Sequence, residues 1–423
     1  MKKVVILAVC VLALLLGNTV YAKDIVYSLN KYQEEELDFI LRDPTGFVMA
    51  GTYEKNDQNI QVLLLKYGEN GNLEWKYSYG ENKEDFLYGL SYLYDDSNKI
   101  VGYVLTVEET TNEDRESSPH FLLIDLEGKL IREQESFLNS NSIIHKVDEI
   151  QTDEGIGGYF VAGSTENHGF IAKYDKNLNL IWKHEVDDAS ITDAIYVHHL
   201  GYYVVSSHEE EDHLSFSLLK YDEETDSFSV IKDDFENDQE PHVEKGIDSY
   251  LVYGLTNDVK LSKDQVGSYY LIKYNSKDEI EWDTVGNTPI DEDRVLRVQT
   301  ISVDEQNTDY YVLSTNRSDH SIEVMHIDSQ GVLQEKVKKF KNNYYDIHDF
   351  LFHNNSLYFI GQINCPEDDN CDYDANSLFL VCTEDKVIEV KDNDSRYILV
   401  GAVVLMGGVF IFYKIRKKKA LKQ

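Results

Sequence analysis

The stretch GYFVAGSTENHGFIAKYDKNLNLIW, residues 158–182, decides the fold, because its pattern recurs along the chain. Its opening strand signature, GYFVAGST, has six counterparts of similar apolar character, which begin at Gly46, Lys99, Gly201, Ser249, Asp309 and Ser356. The first and last of the seven begin 310 residues apart, which gives a mean period of about 52 residues. A fixed period of this length is typical of repeat architectures. The chain is therefore expected to contain seven copies of one structural unit.

A second apolar strand follows each signature, beginning at residues 61, 120, 169, 215, 268, 321 and 377. Four of these strands carry a Lys–Tyr pair, at Lys66, Lys173, Lys220 and Lys273. Nine residues after one of these lysines comes each of the three tryptophans, Trp75, Trp182 and Trp282. Polar turns such as DKNLN, from Asp175, lie between lysine and tryptophan, and turns of this chemistry join hairpin strands. We expect the tryptophans to pack between repeats rather than to form a sugar-binding platform.

Each unit also begins with an acid-led strand, as in residues 85–90 and 193–197. A unit therefore has four short strands: the acid-led inner strand, the two apolar strands and an outer strand that bears the tryptophan. Sheets of four strands and about 50 residues, repeated seven times, are typical of β-propeller blades. The sequence predicts an all-β, seven-bladed β-propeller of four-stranded antiparallel blades over residues 23–392.

Closure of the ring has two candidate strands. Residues 25–30, IVYSLN, precede the first inner strand as WKYSYG precedes the second, so they resemble an outer strand left alone at the N-terminus. Pairing with the last blade would tie the ring shut and protect an exposed edge. Alternatively, residues 386–391 complete that blade. The sequence leaves both open.

The charge of the chain excludes one class of function. It has 423 residues, with 77 acidic and 40 basic side chains, a net charge of −37 and a pI near 4.6. Nucleic-acid binders need a basic surface to displace counterions from phosphates, so we expect no nucleic-acid partner. A surface of this kind attracts cations and repels anionic polymers.

The two ends of the chain predict the cellular location of the protein. Residues 1–22 read as a secretory signal peptide, with an uncleaved N-terminal anchor as the alternative. Residues 397–413 are uncharged and predict a transmembrane helix, and a basic cytoplasmic tail, 414–423, follows them. Residues 393–396 would be a short stalk. The prediction is a single-pass type I protein of the cell membrane with its N-terminal ectodomain outside, carrying 32 basic against 77 acidic side chains, a net charge of −45.

The repeats resemble a known group of proteins. Units of the form GGYxVAGST…LxKYDxNGNxxW are similar to the β-propeller repeats of secreted and surface bacterial proteins, SBBP-like and quinoprotein-like. The resemblance covers roughly residues 24–392 and is best in the units that contain Trp75, Trp182 and Trp282. It implies a propeller fold and a surface location. It implies no activity, because such repeats serve adhesion, scaffolding and catalysis alike.

Catalytic signatures are absent from the sequence. There is no sialidase-type Asp box, no G-x-S-x-G elbow and no H-E-x-x-H motif. Quinoprotein dehydrogenases are longer and usually have adjacent cysteines, which this chain lacks. The sequence therefore predicts no enzymatic activity, although carboxylates from several blades could still meet in the central funnel.

One loop, residues 365–376, predicts a metal site. Its alternating oxygen ligands have the spacing of calcium loops: Asp368, Asn370, Asp372 and Asp374. Tyr373 stands where such loops need Gly, so an acidic solvated hairpin is the alternative. Cys365 and Cys371 could close a small disulfide in an oxidising exterior. A second acidic run with two histidines, residues 208–213, could hold a transition metal, but such a run more commonly forms a charged loop between strands.

These observations predict a binding or scaffolding module, for adhesion or complex assembly, that carries out no bond chemistry. Its partner would be an extracellular or membrane-proximal protein or glycan. The alternatives are a surface glycan-processing enzyme with carboxylates at the funnel and a subunit of a membrane complex. An enzyme should bring several acids and a basic or His residue within about 5–10 Å of each other in the funnel. A binding module should present an apolar or aromatic patch on one rim.

Overall fold

The computed structural model describes residues 25–28 and 35–383, apart from short interruptions. The interruptions are residues 57–58, 70–71, 81–83, 111–116, 137, 139–141, 166–167, 210–213, 234–237, 257–267, 287–292, 303–307, 317–320, 342–344, 354–355 and 364–376. The described strands all belong to one compact unit, residues 1–387.

This unit is all-β. Its described residues form seven four-stranded sheets, here called blades 1 to 7. The strands of blades 1 to 3 are β2 (Glu35–Asp43), β3 (Gly46–Asn56), β4 (Asn59–Gly68) and β5 (Leu73–Tyr79); β6 (Glu84–Tyr94), β7 (Ile100–Thr110), β8 (Ser117–Asp125) and β9 (Leu130–Glu135); β10 (Ile143–Thr152), β11 (Gly155–Ser164), β12 (His168–Tyr174) and β13 (Leu180–Asp187).

The strands of blades 4 to 6 are β14 (Ser190–Val197), β15 (Gly201–Glu209), β16 (Leu214–Asp222) and β17 (Ser227–Lys232); β18 (Asp238–Lys245), β19 (Tyr250–Thr256), β20 (Ser268–Tyr274) and β21 (Ile280–Gly286); β22 (Asp293–Ser302), β23 (Thr308–Asn316), β24 (Ser321–Ile327) and β25 (Leu333–Lys341). Blade 7 combines β26 (Tyr345–His353), β27 (Ser356–Ile363) and β28 (Ser377–Thr383) with β1 (Ile25–Ser28). Within each of blades 1 to 6 the strands pair in chain order and antiparallel, as predicted.

The first strands of the blades are arranged in a closed series. Each contacts the first strand of the next blade, from β2 to β6 and onward to β26, and β26 contacts β2 again. We call these seven the inner strands. The closed series is consistent with the predicted seven-bladed β-propeller.

The core lies between the faces of neighbouring blades. The middle strands are apolar on both faces, as in β3, where Val48, Met49 and Ala50 are all fully buried. Val48 and Ala50 pack with Tyr103 and Leu105 of blade 2. A strand covered on both faces shows a continuous apolar run instead of alternation, which is why the strand signatures repeat so clearly in the sequence.

The N-terminal strand completes the last blade. β1 pairs antiparallel with β28, with Val26 opposite Leu380 and Tyr27 opposite Phe379. Because β28 pairs with β27 on its other edge, β1 is the outer strand of blade 7. The prediction for residues 25–30 is therefore confirmed for its first four residues, 25–28. Residues 386–391, the other candidate, lie outside the described residues.

The tryptophans pack between blades, as expected. Trp75 Nε1 donates a hydrogen bond to the carbonyl oxygen of Leu126, in the turn between the third and fourth strands of blade 2, at 2.9 Å. Trp282 Nε1 donates in the same way to Ser329 of blade 6 at 3.0 Å, and Trp182 Nε1 donates to Glu223 Oε1 of blade 4 at 3.1 Å. Each indole therefore fastens its own blade to the next one along the chain.

The predicted ends of the chain are not described. No helix in the described part of the chain is long and apolar enough to cross a membrane. The signal peptide, 1–22, the stalk, 393–396, the transmembrane helix, 397–413, and the basic tail, 414–423, lie outside the described residues, so these assignments stay predictions.

Candidate functional site

Every inner strand contains a bulge opposite its second strand, at an equivalent place. The ladder shifts between residues 37 and 39, 87 and 89, 144 and 146, 191 and 193, 239 and 242, 295 and 297, and 347 and 349. A bulge leaves one residue unpaired and changes the direction of the following side chains. The seven bulges therefore set which polar side chains of the inner strands can reach the neighbouring blade.

Two aspartates directly after their bulges join adjacent inner strands. Asp193 of blade 4 accepts hydrogen bonds from the backbone N–H of Val243 in blade 5, at 3.1 Å, and from that of Ala194, at 2.8 Å. Asp349 of blade 7 does the same for Ile40 of blade 1, at 3.1 Å, and for Phe350, at 2.9 Å. The ring-closing seam between blades 7 and 1 thus has the same carboxylate bridge as the seam between blades 4 and 5.

A second layer of bridges lies further along the inner strands. Asp148 of blade 3 accepts a hydrogen bond from the N–H of Tyr196 in blade 4 at 3.0 Å. Gln299 of blade 6 accepts one from the N–H of Phe352 in blade 7 at 2.6 Å. Backbone donors at the inner edge of a sheet need partners, and these side chains from the neighbouring blade supply them. The acids of the inner strands therefore have a structural role.

Blades 3 to 5 add cations to these acids. Lys146 Nζ lies 3.3 Å from one oxygen of Asp193, and His242 Nδ1 lies 3.2 Å from the other. Lys245 Nζ lies 2.5 Å from Asp148 and 3.8 Å from Glu149. We call the group the blade 3–5 charge cluster; it comprises Lys146, Asp148, Glu149, Asp193, His242, Glu244 and Lys245.

The cluster shifts the pKa values of its members in opposite directions. Burial alone would raise the pKa of Asp193, but Lys146 and His242 lower it well below its ordinary value. Burial would lower the pKa of Lys245, but Asp148 and Glu149 raise it. Burial raises the pKa of Glu244 to about 7, although Lys146 and Lys245 oppose the shift. Glu244 is thus the carboxyl of the cluster that takes up a proton near neutral pH.

The criterion for an enzyme, convergent charged groups, and the criterion for a binding module, one exposed apolar patch, have different outcomes. Acids, lysines and a histidine do come together within a few ångströms in the inner strands, as an enzyme would require, but Asp148 and Asp193 also accept the backbone bonds of the neighbouring blade. The most exposed large apolar side chains of the described residues lie one or two to a blade over blades 1 to 6. They are Leu73, Leu130, Ile131, Ile181, Val230, Ile280, Val332 and Leu333. This distribution is not one localised patch.

The predicted metal and disulfide residues fall in one interruption of the described structure, residues 364–376. Asp368, Asn370, Asp372 and Asp374, with Cys365 and Cys371, lie outside the described residues. Of the run 208–213, His208 is half-buried near the end of β15, and residues 210–213 also lie outside the described part. The calcium site and the disulfide therefore stay predictions.

Within the described part of the chain, sequence reasoning missed three groups of histidines and acids whose ligand atoms converge. They are Asp153 with His198 and His199, Glu36 with Asp38 and His348, and Glu109 with His120 and Glu133. Each combines residues from different strands or turns, so no local motif marks it. The adjacent pair His198–His199 is the one sequence signal that could have indicated a group of this kind.

Comparison with known proteins finds only distant structural similarity. No family model matches the chain, and no curated protein matches it. Similar solved structures include the AfRom2 CNH domain, at 10% identity and a TM-score of 0.48, which covers 85% of this chain and 98% of that one. The WD40 domain of SCAP from fission yeast has 9% identity and a TM-score of 0.41, with 85% and 98% coverage. A putative 6-phosphogluconolactonase from Bacteroides uniformis has 12% identity and a TM-score of 0.47, with 82% and 99% coverage.

At these identities and TM-scores, no activity or partner passes from these proteins to this chain. The resemblance to SBBP-like and quinoprotein-like repeats also remains a prediction.

Proposed function

We propose that this chain is a non-catalytic binding or scaffolding module, held outside the cell by its own transmembrane helix. The observation that carries the proposal is the use of the inner-strand carboxylates. Asp148, Asp193 and Asp349 each accept a backbone N–H from the next blade, so the acids that a hydrolase would need for catalysis are engaged in holding the ring together. A ring fastened in this way offers a preformed surface to a partner at little entropic cost.

The binding surface is expected at one end of the blades. Because consecutive strands are antiparallel, the links from second to third strand and from fourth strand to the next blade leave from the same end. Among them are the longer connections, residues 111–116, 257–267, 287–292 and 364–376. We call this end the long-loop face. Turns of a few residues, such as 95–99, occupy the other end. Long loops on a rigid scaffold commonly carry binding function.

The partner is expected to be cationic where it meets this face. Several of the long connections are acidic, for example TNEDRE at 111–116 and NCPEDDNCDYDAN at 364–376. Opposite charge increases the rate of association and makes it sensitive to salt. A basic protein segment, or a glycan with amino groups, has the matching chemistry.

Site-specific photo-crosslinking on intact cells that make the full chain tests the proposal. A crosslinking side chain at Thr110, the last residue of β7, reports on the long-loop face. The matched control at Ser97, in the turn at the other end of the same blade, reports on the opposite face. We expect a discrete adduct at Thr110 that weakens as salt is raised, and none at Ser97. Equal adducts at both positions, or none at either, would contradict the proposal.

The proposed orientation in the membrane has its own test. An epitope placed in the turn at Asp96–Ser97 should be removed when intact cells are treated with protease, whereas an epitope after Gln423 should be protected. Loss of both epitopes, or protection of both, would contradict a type I orientation without bearing on the binding face.

One observation favours a glycan-processing enzyme as the second candidate. A carboxyl with a pKa near 7, such as that of Glu244, can donate a proton to a glycosidic oxygen. This candidate predicts that the full chain releases reducing ends from a polysaccharide panel, and that Glu244→Gln abolishes the release. The scaffold proposal predicts no release from the wild-type protein.

A further inference from the structure

We propose that Asp153, His198 and His199 form a binding site for a divalent transition metal, with Zn²⁺ as the expected ion. The three residues come from two neighbouring blades. Asp153 lies in the turn between β10 and β11 of blade 3, and the two histidines lie in the turn between β14 and β15 of blade 4. The site is at the end of the blades opposite the long-loop face, so it is independent of the proposed binding surface.

The distances between the ligand atoms fit a metal better than a hydrogen bond. The Nε2 atoms of His198 and His199 lie 3.4 and 3.5 Å from the same oxygen of Asp153. N–H···O hydrogen bonds are usually about 2.7–3.2 Å long. In tetrahedral coordination with metal–ligand bonds of about 2.1 Å, neighbouring ligand atoms lie about 3.4 Å apart. The two His–Asp distances therefore have the length of two edges of such a tetrahedron.

The backbone of the turn brings the two imidazoles together. In extended backbone consecutive side chains point in opposite directions, but His199 has a φ of +64° and Leu200 N donates to Val197 O at 3.0 Å, which closes a tight turn. As a result the rings of His198 and His199 stack with their centroids 3.7 Å apart. The turn therefore places both Nε2 atoms beside the same oxygen of Asp153.

The ligand set selects the class of metal. Two imidazoles and one carboxylate suit Zn²⁺, Ni²⁺, Co²⁺ or Cu²⁺, whereas Ca²⁺ and Mg²⁺ prefer oxygen alone. Three protein ligands leave a fourth tetrahedral position for water or for another ligand. Exposure is sufficient for entry of the ion, since the Asp153 side chain is 81% exposed and that of His199 is 57% exposed.

The other two groups fit a metal less well. In the group of Glu36, Asp38 and His348, the His348 Nδ1 atom lies 3.0 Å from Asp38, which is an ordinary hydrogen-bond length. In the third group His120 is only 5% exposed, and its ring packs against Tyr79 with the centroids 5.6 Å apart. Neither arrangement leaves two imidazole nitrogens directed at one carboxylate.

Equilibrium dialysis of the full chain in detergent tests the site, with bound zinc measured by elemental analysis after removal of metals with a chelator. His199→Asn keeps a residue type that tolerates the left-handed backbone, and His198→Gln alters the site at a second position. The matched control is His184→Gln, because His184 lies 3.1 Å from Asp226, as an ordinary His–Asp pair. We expect His198→Gln and His199→Asn each to lose one bound Zn²⁺ per chain, and His184→Gln to retain it.

Two further readouts make the outcome decisive. Asp153→Asn should weaken zinc binding by about tenfold or more, while excess Ca²⁺ or Mg²⁺ should not displace the ion. Co²⁺ should give the visible absorption of a tetrahedral site in the wild type and in His184→Gln, and lose it in His199→Asn. Equal zinc content in the wild type and these four variants, absence of bound zinc in the wild type, or loss of zinc only in an additional His348→Gln variant would overturn the proposal.

Discussion

Asp193, in the inner strand β14, is a buried carboxylate with four polar contacts. It is 5% exposed and accepts two backbone N–H groups while it contacts Lys146 and His242. Removal of one partner from a buried ion pair costs about 3–5 kcal/mol, because the other charge stays buried without compensation. Removal of the carboxylate would also leave the N–H of Val243 without its acceptor.

We therefore expect Asp193→Ala to lower the free energy of unfolding by about 3 kcal/mol or more, and Asp193→Asn, which keeps one acceptor oxygen, to lower it by less. The matched control is Asp187→Ala at the end of β13 in blade 3, whose side chain is 87% exposed, and we expect a change within about 0.5 kcal/mol. Urea unfolding at pH 7 measures all three values. Equal stability of Asp193→Ala and Asp187→Ala would show that the bridge does not hold the blades.

The stabilising effect of Asp193 should also depend on pH. Its pKa in the folded chain is lowered below the value of about 3.9 that it has when unfolded, so its contribution is present above that pH and is lost as the pH falls through the folded pKa. The stability difference between the wild type and Asp193→Asn should be constant from pH 5 to 7 and shrink below pH 4. A difference that grows on acidification would contradict this assignment.

Glu244 should give a slope of the opposite sign. Its pKa is about 7 in the folded chain and about 4.3 in the unfolded chain, so between these values the folded state holds the extra proton. Stability from this group therefore falls as the pH rises from about 4 to 7. We expect Glu244→Gln, which resembles the protonated form, to match the wild type near pH 4 and to exceed its stability by at most about 4 kcal/mol at pH 8. A difference independent of pH would contradict the shift.

At the scale of the element, one hairpin design recurs between the third and fourth strands. Asp125 Oδ1 accepts hydrogen bonds from the N–H groups of Glu127 and Lys129, at 3.0 and 2.8 Å, and Gly128 follows with a φ of +79°. The turns at Asp175, Asn275 and Asp328 repeat these two bonds. An Asx side chain at the first turn position and a left-handed residue at the fourth explain why the sequence DKNLN predicts a hairpin turn.

Gly128 also serves as the surface on which Trp75 packs. A Cβ atom at this position would lie 2.6 Å from the indole ring, so the side chain must be absent for the blades to meet. Gly201 provides a matched position. It too has a positive φ, of +112°, but a Cβ there would meet nothing closer than 3.5 Å.

We expect Gly128→Ala to lower stability by about 2–4 kcal/mol and Gly201→Ala by about 1 kcal/mol. Both variants strain a backbone with positive φ, but only the alanine at 128 also clashes with the indole ring. In the double variant Gly128→Ala with Trp75→Ala the clash with the indole is absent. The double variant should therefore lose less stability than the sum of the losses in the two single variants. Thermal unfolding of the four variants measures the coupling. Purely additive costs would indicate that this contact does not control the packing of the two blades.

For the whole molecule, stability should depend on the strand that closes the ring. β1 is separated from its partner β28 by nearly the whole chain, and it joins the N-terminus to the last blade. Val26→Pro with Tyr27→Pro removes two adjacent N–H groups. Because alternate residues of an edge strand donate to the partner strand, at least one hydrogen bond to β28 is lost. We expect this pair of changes to lower stability by about 3 kcal/mol or more and to expose an aggregation-prone edge.

The control for closure is Lys31→Pro with Tyr32→Pro, just beyond the strand, which should change stability little. Thermal unfolding and size-exclusion chromatography measure both effects. If the substitutions at 26 and 27 had no more effect than the control, residues 386–391 would be the better candidate for the outer strand of blade 7.

The number of blades and their strand order were predictable, whereas the charge cluster was not. Seven signatures and the constant spacing from Lys66 to Trp75 reflect packing rules that each blade obeys locally. The cluster depends on Lys146, Asp193 and His242, which come from three different blades. These three side chains come together because of bulges in their strands. The position of a bulge depends on pairing with the neighbouring strand, so it cannot be read from the sequence of one strand alone.

By itself the sequence determined the repeat, the all-β class, the hairpin turns, the packing role of the tryptophans and the acidic character of the surface. These properties follow from side-chain periodicity and composition, which act over a few residues. Only the tertiary structure decided that β1 closes blade 7, that Asp193 and Asp349 tie neighbouring inner strands, and that His198 and His199 face Asp153. The physical reason is that hydrogen bonds and ligand geometry depend on distances of a few ångströms between residues remote in the chain, and the ring sets those distances.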